Sequence, residues 1–189
     1  PFVLSVLATA ALAAHAGDGR IPTDQDKFPK GVPSAPAVAA QCMACHGPAG
    51  QSQYEDWPSL AGQKQSYLLQ QLKDFKSGAR KHPMMDPIAT LLGDADMQKL
   101  SVYFSAQPAL RARHPLAANA AAPTAAATAA PTAAAACIAC HDNAALPNEP
   151  FLNAQKAPYL AEQIKAFRDG KRKNAVMEAM AKPLSDADV

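Results

Sequence analysis

The sequence predicts an all-α protein built from two tandem copies of one small domain, and three observations carry that expectation. Apolar residues recur at helical spacing, as in Leu68, Leu72 and Phe75, and no stretch alternates apolar with polar residues as a half-buried strand does. The chain aligns with itself at a shift of 92 residues. Tyr67-Leu68 then falls on Tyr159-Leu160, QLKDFKSG (71–78) on QIKAFRDG (163–170), and LGDAD (92–96) on LSDAD (184–188). Between the copies, residues 108–131 are dominated by Ala, Pro and Thr and offer no apolar face to bury, which is the composition of a tether. The expected organisation is therefore a leader (1–16), an extension (17–33), domain 1 (34–107), a linker (108–131) and domain 2 (132–189).

The leader reads as export machinery. Phe2 to Ala14 is apolar and is followed by Ala14-His15-Ala16, the small-x-small pattern of a signal peptidase site, which would place the mature terminus near Gly17. A retained membrane anchor is the rival reading. With neither an initiator Met nor a basic stretch ahead of it, the sequence is expected to start inside this segment. Both readings put the folded part outside the cytoplasm.

In domain 1, a helix within Ser34–His46 is expected to run into CMACH (42–46). A second helix, Gln65–Ser77, should end at Gly78 as its C-cap, and a third, Asp94–Gln107, should bury Met97, Leu100, Tyr103 and Phe104. Met85-Asp86-Pro87 between them is expected to be a loop. Domain 2 repeats this with Thr132–His141, Pro158–Asp169 and a helix starting at Ser185, where Ser185 and Asp188 have the form of a capping box. About a dozen further residues are expected beyond Val189 to complete that helix, roughly the length of its domain 1 counterpart. Each domain is small enough that its bare core is marginal, so a staple is expected in both.

Charge excludes some functions. The net charge of +2 resides in Arg111 and Arg113 of the linker, and both domains are neutral, which fits neither nucleic acid nor a strongly charged membrane.

The four cysteines lie in two identical frames, CMACH (42–46) and CIACH (137–141), 95 residues apart. Disulfides are the ordinary use of Cys in an exported protein. A four-thiolate zinc site needs the pairs much closer, usually roughly 15 to 20 residues apart. A thioredoxin-like pair needs strands on either side of a helix, which the pattern lacks. Covalent haem attachment accounts for the histidine as well. Two thiols three positions apart on a helical turn reach the two vinyl groups of one porphyrin, and the adjacent His46 or His141 ligates the iron.

The repeat also filters candidates for the second axial ligand. Met84 aligns with Val176, Met180 with Ile88, and His82 with Asn174, whereas Met85 aligns with Met177. A thioether is a soft ligand that suits haem iron and raises its potential. Core filling is the ordinary role of a Met, but the duplication favours ligation, with Met84 as the alternative in domain 1. Filling both axial positions leaves no open iron site, which favours electron transfer over oxygen or peroxide chemistry.

CMACHGPAGQSQYEDWPSLAGQKQSYLLQQLKDFKSGAR followed by PMMDPIATLLGDADMQKLSVYF resembles a class I cytochrome c domain of the two-haem cytochrome c4 family. The resemblance implies two covalently bound haem c groups with His46/Met85 and His141/Met177 as axial pairs. It also implies that Pro58 of a PxLxG motif, and Pro150 of its partial copy, accept the proximal imidazole N–H through their carbonyls, fixing the ring. Asn153-Ala154 replaces Ala61-Gly62 in the copy. The implied role is single-electron shuttling in the periplasm between partners such as a terminal oxidase, a quinol-oxidising complex or a periplasmic dehydrogenase, alone or as a subunit of a larger respiratory complex. The alternative is a peroxidase-like enzyme with one open iron.

Family members join their domains by a short connection, whereas this linker could extend to roughly 90 Å in a polyproline-like form. The haems are thus open to acting as a relay or as independent carriers. Lys73, Lys76, Arg80 and Lys81, with Lys165, Arg168, Lys171, Arg172 and Lys173, precede the two Met positions and are either a docking ring for a redox partner or a solvated face.

Overall fold

The computed structural model describes residues 34–109, 130–141, 143–153 and 155–189. The leader, the extension and most of the linker lie outside the described residues. Within them the chain is helical, with no strand.

Domain 1 begins with α1 (Ala39–His46). It starts later than the sequence pattern suggests, because Pro36 first makes a turn in which its carbonyl accepts from Ala39 N at 2.8 Å. Helix α2 (Gln65–Ser77) has its expected bounds and closes on Gly78, whose φ of 78° is left-handed and whose N–H donates to Phe75 O. The Met85 segment is the first turn of α3 (Met85–Thr90), a correction to the expected loop. Pro87 is compatible with this because a first-turn residue has no helical acceptor for its missing N–H.

Helix α4 (Asp94–Ser105) packs on α2 and buries Met97, Leu100, Tyr103 and Phe104. With Ala39, Leu68 and Leu92 these make one core, against which Cys42, Met43, Leu60, Leu69 and Leu72 lie partly buried.

Domain 2 has α5 (Ala130–His141), α6 (Ala157–Arg168) and α7 (Ala175–Ala181), with α6 packed on α7. Gly170, at φ 69°, ends α6 as Gly78 ends α2. At Ser185, Asp188 Oδ2 accepts from Ser185 N at 2.8 Å, the reach-back bond of the expected capping box, and Asp188 N donates to Ser185 O at 3.1 Å. Phe167 and Ala181 are the buried apolar residues described in this domain.

The two domains are docked through a reciprocal polar seam that the linker composition did not foretell. Arg80 donates to Gln71 of its own domain (2.7 Å) and to Tyr159 Oη (3.2 Å) and Gln163 (2.7 Å) of the other. Arg172 donates to Gln163 (2.8 Å), and across the seam to Tyr67 Oη (3.0 Å) and Gln71 (2.8 Å). Every residue in one set maps onto the other at the 92-residue shift, so the seam has pseudo-twofold symmetry. Each guanidinium also covers the preceding phenylalanine ring, Arg80 over Phe75 and Arg172 over Phe167, at 4.5 Å.

This placement revises the reading of the basic residues. Arg80 and Arg172 belong to the seam, because a planar fork can serve several neutral acceptors at once. Lys76 and Arg168 instead hold the carbonyls of Leu92 (2.6 Å) and Leu184 (3.2 Å). Lys73, Lys81, Lys165, Lys171 and Lys173 remain exposed.

Candidate functional site

Helical geometry gathers each cysteine frame on one side. Positions i, i+3 and i+4 share a helix face, which places Cys42, Cys45 and His46 together on α1, and Cys137, Cys140 and His141 together on α5. None of the four cysteines is joined in a disulfide, contrary to that reading. Among the described residues no three His, Cys, Asp or Glu side chains form a metal-holding cluster, so the pairs do not make a shared zinc site. Burial pushes the Cys42 thiol up to about 11, keeping it protonated at neutral pH.

Both histidines are locked by the same contact. His46 Nδ1 lies 2.8 Å from Pro58 O, and His141 Nδ1 lies 2.8 Å from Pro150 O. A carbonyl can only accept, so each Nδ1 carries a proton and Nε2 is the ring nitrogen left for a metal. Burial also lowers the His46 pKa, against the Pro58 carbonyl and with the help of nearby His82, which favours the neutral, ligating form.

The loops that present the prolines are braced differently. In domain 1, Gly50 O accepts from Leu60 N (2.7 Å) and Ala61 N (3.1 Å), tying the Pro58 loop to the turn after α1. Gly47 starts that turn at φ 77°, and a Cβ there would sit 2.1 Å from Gln51 O, so only glycine fits. In domain 2, Lys64 reaches across the seam to the carbonyls of Asn143 and Leu146, both at 2.6 Å, and Ser66 Oγ donates to Pro147 O. The substitution of Asn153-Ala154 for Ala61-Gly62 leaves the proline contact at the same length.

The methionines sit at equivalent points. Met85 is the first residue of α3 and half-buried, while Met84 beside it is 52% exposed. Met177 lies in the first turn of α7, also half-buried, while Val176 and Met180 are exposed.

A brace that the residue alignment obscured holds both turns. His82 N donates to Asp86 Oδ1 (2.9 Å) while His82 Nδ1 accepts from Met84 N (3.3 Å). Asn174 N donates to Glu178 Oε1 (3.1 Å) while Asn174 Oδ1 accepts from Met177 N (3.0 Å). The carboxylate contact is duplicated in register, Asp86 falling on Glu178 at the 92-residue shift, whereas the acceptor side chain takes Met84 N in one turn and Met177 N in the other.

The donor set fits haem. Each domain offers a pair of thiols on one helical face, an imidazole held at Nδ1 so that Nε2 is the nitrogen left to ligate, and a half-buried thioether. An all-α repeat carrying that set twice is a two-haem c-type cytochrome.

Comparison with known proteins narrows the class. The cytochrome c family matches residues 35–107. Cytochrome c4 of Azotobacter vinelandii is 34% identical, covering 80% of both chains. A thiosulfate dehydrogenase electron acceptor of Stutzerimonas stutzeri (strain A1501) is 34% identical, covering 95% of this chain and 85% of its own. The structure of reduced cytochrome c4 from Pseudomonas stutzeri superposes with a TM-score of 0.64 at 30% identity, covering 79% of this chain and 88% of that one. The chain belongs to the cytochrome c4 family. It carries two covalently bound haem c groups and transfers single electrons between redox partners; it is a carrier rather than an enzyme, contrary to the peroxidase-like alternative.

Proposed function

We propose that domain 1, residues 34–107, attaches one haem through Cys42 and Cys45 with His46 and Met85 as axial ligands. Domain 2, residues 132–189, attaches the other through Cys137 and Cys140 with His141 and Met177. The duplicated hydrogen bond from the histidine Nδ1 to Pro58 O or Pro150 O carries this reading, since it fixes each ring and leaves Nε2 as the ligating atom. Bound haem supplies a one-electron Fe(III)/Fe(II) couple. The thiols would anchor the ring by S–H addition across its vinyl groups, the imidazole and thioether of each domain would hold its iron, and the soft thioether would favour the reduced state. The half-burial of Met85 beside an exposed Met84 supports Met85 as the ligand of domain 1.

The docked seam supports a relay between the haems over two independent carriers. The apolar run before Ala16 supports export to the periplasm, cleaved there or kept as an anchor. A relative that is a thiosulfate dehydrogenase electron acceptor supports a periplasmic dehydrogenase as the electron donor, with a terminal oxidase or a quinol-oxidising complex among the other candidate partners.

The test combines a pyridine haemochrome count with the far-red sulfur-to-iron band of the oxidised protein. Two haems per chain with that band are expected, and the band should weaken by about half in Met85→Ala and again in Met177→Ala. A band that persists in the double variant would overturn the ligand assignment.

A further inference from the structure

We infer that Gln63 and Gln155 are positioning residues for the proximal histidine of the opposite domain, so that each haem is tuned across the seam. Gln63 Oε1 accepts from Phe151 N (2.8 Å) while its Nε2 donates to Phe151 O (2.8 Å). In the reciprocal contact, Gln155 Oε1 accepts from Ser59 N (3.1 Å) while its Nε2 donates to Ser59 O (2.6 Å). Gln63 maps onto Gln155, and Ser59 onto Phe151, at the shift of the repeat.

Phe151 N–H and Pro150 C=O belong to one peptide group, as do Ser59 N–H and Pro58 C=O. Each carboxamide therefore grips the N–H end of the amide whose carbonyl end holds the proximal imidazole. The continuous path runs from His141 Nδ1–H to Pro150 O, through the peptide plane to Phe151 N–H, and on to Gln63 Oε1. Peptide resonance couples the two ends, and hydrogen bonds in series polarise one another. A donated N–H thus makes the proline carbonyl a stronger acceptor, and a stronger acceptor makes the imidazole a more basic ligand. A more basic ligand stabilises ferric over ferrous iron. The clamp is built for this: Gln63 is 5% exposed, and its Oε1 also accepts from Lys64 N at 3.0 Å, fixing the carboxamide.

The inference rests on the reading of His46 and His141 as iron ligands. It is tested on the holoprotein with Gln63→Met and Gln155→Met, which keep length and remove both hydrogen bonds. Redox titrations are followed by haem-methyl NMR signals, which report each haem separately, and by the histidine Nδ1–H signals of the reduced, diamagnetic form.

A crossed pattern is expected. Gln63→Met raises the potential of the domain 2 haem and moves the His141 Nδ1–H signal upfield, while the domain 1 haem holds. Gln155→Met does the reverse. Equal shifts at both haems in each variant would mean general loosening of the seam and would overturn the inference, as would no shift at either haem. Loss of the low-spin His/Met spectrum in the unaltered protein would instead remove the ligand reading itself, and the inference with it. If a Met variant loses its haem, Gln63→Glu and Gln155→Glu preserve an acceptor for the N–H and should lower the potential on the same crossed side.

Discussion

Domain 1 and domain 2 hold the same ligand frame by different means. Domain 1 encloses it with a packed core in which α4 contributes Met97, Leu100, Tyr103 and Phe104 against α2. In domain 2, His141 is as firmly tied to Pro150 as His46 is to Pro58. The difference lies in what surrounds the frame. Lys64, Ser66 and Gln63 of domain 1 reach over to carbonyls and an amide of the loop between His141 and Phe151. The geometry of an attachment site is thus a local property of helix, turn and proline carbonyl, and side chains of the neighbouring domain add to what holds it.

The largest effect that breaks the comparison is loss of a haem. Cys137→Ala combined with Cys140→Ala should reduce the haemochrome count from two per chain to one. Cys42→Ala with Cys45→Ala should also leave one haem, and the haem-methyl NMR signals that survive in each variant tell which domain kept it.

A smaller effect comes from the core itself. Leu100→Ala or Met97→Ala should destabilise domain 1 by about 2–5 kcal/mol in denaturant titrations, leaving the domain 2 haem signals in place. Smaller again, Asn174→Ala removes the cap on α7 and should cost about 1 kcal/mol, with a weakened far-red band from the domain 2 haem. His82→Ala should cost less, because its bond to Met84 N is 3.3 Å against 3.0 Å for Asn174 to Met177 N.

The last prediction sharpens the comparison through pH. Burial, opposed by the Arg80 guanidinium, holds the Tyr159 phenol above its ordinary value of 10.0. The docked state therefore keeps a proton that an opened state releases. Its contribution is full below pH 10 and is lost as pH rises through the higher docked value, so small-angle scattering should record opening of the seam in strong alkali. Tyr159→Phe should flatten that dependence.

Much of this was legible in the sequence. The two CxxCH frames, the α2 bounds with the Gly78 cap, the buried face of α4 and the Met85/Met177 match all follow from spacing and self-alignment. The Met85 turn was misread because proline is a turn signal as well as a first-turn helix residue, and only neighbouring hydrogen bonds separate the two. The His82/Asn174 brace escaped the alignment because its acceptor is an imidazole in one copy and a carboxamide in the other. The seam left a trace that charge counting obscured. Tyr67, Gln71 and Arg80 recur as Tyr159, Gln163 and Arg172, but a cation on a polar helix face reads first as a solvated surface until its partners are known.

The pseudo-twofold seam also determines what a single half can recognise. Ser59, Gln63, Tyr67, Gln71 and Arg80 supply donors and acceptors in the arrangement that their counterparts in domain 2 require, and the two sets are copies of one another. Domain 1 therefore presents a self-complementary surface, on which a second copy rotated by half a turn would find an acceptor for each guanidinium and a backbone amide for each carboxamide. The fused chain has the contact logic of a homodimer, with a tether joining two like subunits.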